Sequence, residues 1–151
     1  MNTKTGPTNP INVLFVDDDS SLQLLASAML NNKLFHVLAA QNTKEADVLL
    51  AQHSVDLIVC DVMMPNEDGI SYCARLKERG NKIPFMILSA VGDPQSIQQG
   101  LAAGANQYLV KPFDVAELQK QMVAMTGRKL VRRPEIKAPT NTAKLLAWFR
   151  R

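Results

Sequence analysis

The stretch Val55-Asp56-Leu57-Ile58-Val59-Cys60-Asp61-Val62-Met63-Met64-Pro65 constrains this chain most. An apolar, partly β-branched run ends abruptly in a carboxylate, and a proline four residues on forbids the strand from continuing. Val55 and Leu57 to Cys60 read as buried on both faces, the signature of a strand inside a parallel sheet rather than at a wetted surface. Asp61 then falls at the carboxyl end of a central strand, where open α/β sheets bind their ligands. On its own such an aspartate is most often a turn former or a helix cap.

The flanking sequence repeats the pattern. Ile11–Val16 is a strand, and Leu22, Leu25, Ala26, Met29 and Leu30 recur at helical spacing until Asn31-Asn32 stops them. Phe35–Ala40 is a second strand, and Asn42 or Thr43 caps a helix with Ala46, Leu49 and Leu50 inward. A turn at Pro65–Gly69 leads into a helix from about Ile70 to Arg79, closed by Gly80. Ile83–Leu88 is the fourth strand, and Pro94 opens the fourth helix. Asn106–Val110 is the fifth strand, and Asp114 caps a last helix with Leu118, Met122 and Met125 inward. Five strand–helix alternations predict an α/β, doubly wound (βα)5 fold with a five-stranded parallel sheet. They are too few for an eight-fold barrel.

Polar residues gather at the strand ends. Strand one runs into Asp17, Asp18 and Asp19, strand three into Asp61, strand four into Ser89, and strand five into Lys111. In a parallel sheet these positions share one edge, and a 2-1-3-4-5 order sets strands one and three side by side. Crowded carboxylates raise one another's pKa unless a cation neutralises them. Oxygen ligands with few protein donors suit Mg²⁺, with Mn²⁺ as a substitute, and such an ion shares its shell with phosphate. Lys111 and the Ser89 hydroxyl complement phosphate oxygens, and an aspartate in such a place can act as a nucleophile, forming an acyl phosphate. Each residue alone has a plainer reading: Asp19 or Ser20 as a helix cap, Ser89 as another, Lys111 as a solvated loop residue. Their joint arrival at one edge favours the site.

Two cysteines, Cys60 and Cys73, read as reduced core residues, and His36 and His53 show no zinc-ligand spacing. No apolar run is long enough to cross a bilayer. Residues 1–10 lack the apolar segment of a secretory signal and read as a disordered leader, so the cytoplasm is the expected compartment. The net charge of +3 hides an asymmetry. Residues 11–127 hold 8 Lys/Arg against 13 Asp/Glu, or −5, whereas residues 128–151 hold 8 against 1, or +7.

Val16-Asp17-Asp18, Asp61-Val62-Met63-Met64-Pro65 with Asp68-Gly69, Leu88-Ser89-Ala90, and Gly104 through Lys111-Pro112-Phe113 together resemble the receiver domain of two-component response regulators, over about residues 11–127. The resemblance implies a flavodoxin-like fold in which Asp61 accepts phosphate from a histidine kinase or a histidine phosphotransfer protein. It implies that Asp18 ligates Mg²⁺ directly, Asp17 through water, and Met63 through its backbone carbonyl. It also implies a cis peptide before Pro112 and a switch pair, Ser89 and Tyr108. Met63 and Val91 stand where other receivers can carry polar side chains that orient an attacking water, so two apolar groups there imply a long-lived phospho form. Homodimerisation, if it occurs, would use the face of the fourth helix, fifth strand and fifth helix.

Residues 128–151 are too few for a DNA-binding module with its own core. They read as a basic tail or linker whose last residues, Thr142–Arg151, would be amphipathic if helical. Contact of this tail with nucleic acid or a membrane is a lesser expectation than a linker or a docking segment. The chain as a whole reads as a switch with no external turnover substrate. Two alternatives stand beside it: a Mg²⁺-dependent phosphohydrolase using Asp61, against which Met63 replaces the usual second acid, and a phosphate-independent interaction module.

Overall fold

The structure is a computed structural model that describes residues 10–20, 23, 24, 27, 28 and 34–127. Five strands, β1 (Ile11–Val16), β2 (Phe35–Ala40), β3 (Leu57–Cys60), β4 (Phe85–Ser89) and β5 (Gln107–Val110), form one sheet. Every pairing is parallel and the order is β2-β1-β3-β4-β5. This is the doubly wound parallel sheet expected from the alternation of elements and the flavodoxin-like fold that the resemblance implies. Register aligns the strand ends: Val16 lies opposite Cys60, Cys60 opposite Ile87, and Ser89 opposite Val110. The residues just beyond β1, β3 and β5 therefore emerge at one edge.

Period-two alternation splits the strand side chains between two cores. Leu14, Val16, Ile58, Cys60, Phe85 and Ile87 face one side with Ala46, Tyr72, Cys73 and Leu76. Ile11, Val13, Phe15, Leu57, Val59, Met86 and Leu88 face the other with Leu118, Met122 and Val123. Helices α1 (Thr43–Gln52) and α2 (Gly69–Glu78) thus cover the first face and α4 (Val115–Met125) the second, while α3 (Pro94–Ala102) packs on β4 and β5 through Gly100. All four residues of β3 are buried, as the opening run requires. Ser20, Gln23, Leu24, Ser27 and Ala28, between β1 and β2, are helical where the first helix is expected. Its expected inward residues Leu22, Leu25, Ala26, Met29 and Leu30, the stop at Asn31-Asn32, residues 1–9 of the leader and the whole tail 128–151 lie outside the described residues.

Side-chain caps set where the four labelled helices begin. Asn42 accepts from the Glu45 amide, Asp68 from Ser71, Asp93 from Ser96 and Asp114 from Ala116, each contact contributing about 1 kcal/mol. The cap on α1 is Asn42 rather than Thr43. Two strands start later than their sequence pattern suggests, for local reasons. Pro84 has no N–H to give the ladder, so β4 begins at Phe85. Asn106 engages Phe85 with its side chain and its own amide, at 3.0 and 2.8 Å, so the ladder of β5 starts one residue on.

One cluster joins α1, α2 and the loop after Asp61. Arg75 on α2 donates twice to Glu67, from Nε and Nη2, both at 2.9 Å, and from Nη2 to Asp47 Oδ2 on α1 at 3.0 Å. The guanidinium also lies 4.9 Å from the Tyr72 ring centroid, and the Tyr72 hydroxyl donates to Asp47. Hydrogen bonding from Arg75 holds the Glu67 carboxyl below its usual range. A carboxyl with a depressed folded pKa stabilises the fold above its unfolded value of 4.5, and that contribution is lost as pH falls through the lower folded value. The pair is a quarter solvent-exposed, so its contribution is about 1 kcal/mol. Glu67→Gln is therefore expected to lower urea stability by about that amount at pH 7, with the difference from wild type closing as pH falls below 4.5. A gap that stays constant with pH would contradict this assignment.

Candidate functional site

The acidic edge is built from strand ends outward. Asp17 leaves β1 with its amide donating to Ala40 O at 3.0 Å, which continues the ladder. Its side chain is almost wholly buried, and Oδ1 accepts from the Asp19 amide at 2.9 Å. Asp18, next along the chain, is exposed. Asp61 leaves β3 with its amide donating to Val16 O at 3.0 Å, and its Oδ1 accepts from the Val62 amide at 2.8 Å. Oxygens of Asp17, Asp18 and Asp61 all lie within 4.8 Å of one another.

Lys111 reaches this cluster from the end of β5, its Nζ 3.6 Å from Asp17 Oδ2 and 3.9 Å from Asp61 Oδ2. Both separations exceed a hydrogen bond, so the contact is electrostatic. The peptide between Lys111 and Pro112 is cis, as the resemblance implies. The Asp17 carboxyl is pushed above its usual range, first by burial and then by the Asp61 and Asp18 charges, while the Asp19 amide and Lys111 oppose the rise. Burial, with the Asp61 and Asp17 charges behind it, pushes the Cys60 thiol up as well, which keeps it protonated and inert. A half-buried set of carboxylates in which burial and the neighbouring charges push Asp17 up, with Lys111 beside them, fits a hard divalent cation of the Mg²⁺ type.

Ser89 ends β4 fully buried. Its hydroxyl accepts from the Val91 amide at 3.1 Å, and its carbonyl accepts from the Lys111 amide at 2.8 Å. Tyr108 is half-buried and donates its hydroxyl to the Val91 carbonyl at 2.5 Å. The two side chains are therefore joined through the two backbone groups of one residue. Behind the tyrosine, Gly100 makes room: a Cβ there would stand 2.9 Å from Tyr108 Cδ2 and 2.8 Å from Ile87 Cδ1. Met63, in the loop after Asp61, has a well-exposed side chain, and Val91 is half-buried.

The supporting roles of two residues are not legible in the sequence. Gln23 reads as one polar position in a helical pattern, yet it is buried and its Nε2 donates to both Asp17 O and Ala40 O, locking the ends of β1 and β2 together. Gly69 reads as a turn residue. Its actual constraint is contact, since a Cβ there would lie 2.1 Å from the Asp61 carbonyl oxygen.

With that geometry in place, comparison with known proteins decides the family. The response regulator receiver domain family matches residues 13–123. The chain belongs to the response regulator receiver family. It is 37% identical over 119 residues to the response regulator MprA of Mycolicibacterium vanbaalenii, covering 79% of this chain and 52% of that protein. The chain thus spans about half the length of the curated relatives it matches. Among solved structures, the receiver domain of a Francisella response regulator matches with a TM-score of 0.73 at 32% identity, covering 78% of this chain and 97% of that one. A structure described as the CheX-CheY-BeF3-Mg complex of Borrelia burgdorferi matches with a TM-score of 0.67 at 28% identity, covering 76% and 88%. This chain is therefore a response regulator receiver, of the kind that works as a phosphorylation-dependent signalling switch.

Because the obstacle at Gly69 is backbone rather than a movable side chain, Gly69→Ala must displace either α2 or the Asp61 peptide. The expected cost is at least about 2 kcal/mol in urea unfolding. Gly80→Ala, which meets open space at φ 80°, is expected to cost about 1 kcal/mol. Equal costs would refute the close-approach account.

Proposed function

We propose that Asp61 is the phosphoacceptor of this receiver. The observation that carries the reading is Lys111 poised between Asp17 and Asp61 at the carboxyl edge of the sheet. An Asp61 carboxylate oxygen attacks phosphorus, the new O–P bond forms as the P–N bond of a phosphohistidine breaks, and the electron pair returns to the imidazole. The donor is a sensor histidine kinase or a histidine phosphotransfer protein. Asp17, Asp18, Asp61 and the Met63 carbonyl would hold Mg²⁺, or Mn²⁺ in its place, which supplies charge neutralisation between phosphoryl oxygens and carboxylates. Lys111 exchanges its contacts with the carboxylates for a phosphoryl oxygen. A similar protein, CheY of Borrelia burgdorferi, is described in complex with BeF3 and Mg, which supports this division of roles.

Ser89 and Tyr108 transmit the event. When the Ser89 hydroxyl turns toward the phosphoryl group it releases the Val91 amide, and the Val91 carbonyl that holds Tyr108 moves with it. The altered surface is α3-β5-α4, where Leu101 is exposed and β5 is an edge strand. A homodimer or a downstream partner would form there. Residues 11–127 are the receiver domain and residues 128–151 a basic tail or linker, and the cytoplasm is the working compartment. No described helix is long and apolar enough to cross a membrane.

Met63 and Val91 offer no side-chain hydrogen bond to an attacking water, so the phospho form is long-lived. Incubation of the chain with a small-molecule phosphodonor and Mg²⁺, followed by intact mass measurement, tests both points. One phosphoryl group is expected on wild type, none on Asp61→Asn, and slow loss once the donor is removed. Continuous donor turnover would indicate a phosphohydrolase instead, and no increment would indicate a phosphate-independent module.

A further inference from the structure

The loop Val62–Asp68 joins Asp61 to α2 and carries the Met63 carbonyl. It is held at its ends, where Val62 N donates to Asp61 Oδ1 at 2.8 Å and Gly69 N donates to Val62 O at 3.0 Å. Its middle is less secure. Asn66 takes a left-handed φ of 73°, a turn conformation that asparagine tolerates better than most side-chain-bearing residues. The side-chain contact that anchors the loop is on the next residue. Glu67 is gripped by both arms of the Arg75 guanidinium, and the Thr43 hydroxyl on α1 adds a further hydrogen bond to the same carboxylate. Arg75 is itself fixed from two directions, by Asp47 on α1 at 3.0 Å and by the face of the fully buried Tyr72 ring.

We infer that Arg75 is a positioning residue for the cation site: by holding Glu67 it fixes the loop that presents the Met63 carbonyl beside Asp17, Asp18 and Asp61. The inference rests on the reading of those four residues as ligands. A planar, two-pronged guanidinium is the group that can set both position and orientation of a carboxylate; a lysine at the same place would supply charge without the fork. Between its ends the loop has one backbone hydrogen bond of its own, Glu67 N to Pro65 O at 2.9 Å, so its placement against α1 and α2 falls to this clamp. A ligand carried on a loose loop must be ordered when the cation binds, and that ordering weakens affinity.

Isothermal titration of the full chain with MgCl2 tests this, with thermal unfolding in EDTA measured alongside. Arg75→Met and Arg75→Lys are expected to weaken Mg²⁺ binding about tenfold, the usual scale for supports behind a ligand set. Glu67→Gln keeps the side chain's size but removes the carboxylate that the guanidinium fork grips and should weaken binding in the same direction, which covers the case in which an Arg75 variant does not fold. Asn12→Ala, which removes the hydrogen bond from Asn12 Nδ2 to Ser54 O at the opposite end of β1, is expected to lower the melting temperature while leaving Mg²⁺ affinity at the wild-type value. If Arg75→Lys and Glu67→Gln bind Mg²⁺ as wild type does while melting earlier, Arg75 merely packs α1 against α2 and the inference is overturned. If wild type itself shows no saturable Mg²⁺ binding, the ligand assignment falls and takes the inference with it.

Discussion

Two carboxylates at the ends of neighbouring strands, Asp17 and Asp61, are held together against their own repulsion with one ammonium, that of Lys111, beside them. The rest of the structure serves this contact. A parallel sheet is the architecture that brings strand ends to one edge, and a sheet buried on both faces needs helices on both sides. The in-register pairing of Val16 with Cys60 places Asp17 and Asp61 one residue beyond the ladder. Gln23 ties the backbone at Asp17 to β2, and Gly69 lets α2 begin directly against the Asp61 peptide. The upward shift of the Asp17 carboxyl is the electrostatic trace of the arrangement: burial and like charges disfavour its ionised form, and a bound cation would favour it.

The site does not end at the carboxylates. Val91 accepts from Tyr108 at its carbonyl and donates its amide to Ser89, so the two side chains are joined through the backbone of one residue. The tyrosine ring occupies space that exists because residue 100 is glycine. Strand β5, which carries Tyr108, is an edge strand with its side chains only partly covered, so displacement of the ring is felt at the surface rather than absorbed in the core. On the proposed reading, this hydrogen-bonded route is what links the buried Ser89 hydroxyl to the exposed face.

Much of this is legible in the sequence because it depends on periodicity and on strand ends. The continuous apolar run at Leu57–Cys60 announces a strand buried on both faces, and the polar residues after each strand announce the edge. Strand starts are less legible, since a proline lacking a donor at 84 and a side-chain contact at Asn106 decide them locally. The supports of the site are the least legible. Gln23, Glu67 and Arg75 read as ordinary polar positions, and the partners that give them their roles are not neighbours in sequence, as with Arg75 and Asp47. Long-range side-chain pairing leaves no periodic trace, and a close backbone approach such as that at Gly69 looks from sequence like any turn glycine.

On the proposed reading the carboxylate of Asp61, among the converging groups, takes the phosphoryl group. Borohydride reduces an acyl phosphate to the alcohol and leaves phosphoserine and free carboxylates untouched, so it marks the acceptor covalently. Phosphorylated chain treated in this way and sequenced by tandem mass spectrometry is predicted to carry homoserine at position 61 and aspartate at 17 and 18. Homoserine at 17 or 18, or a phosphoryl group that survives reduction on Ser89 or a histidine, would contradict the account.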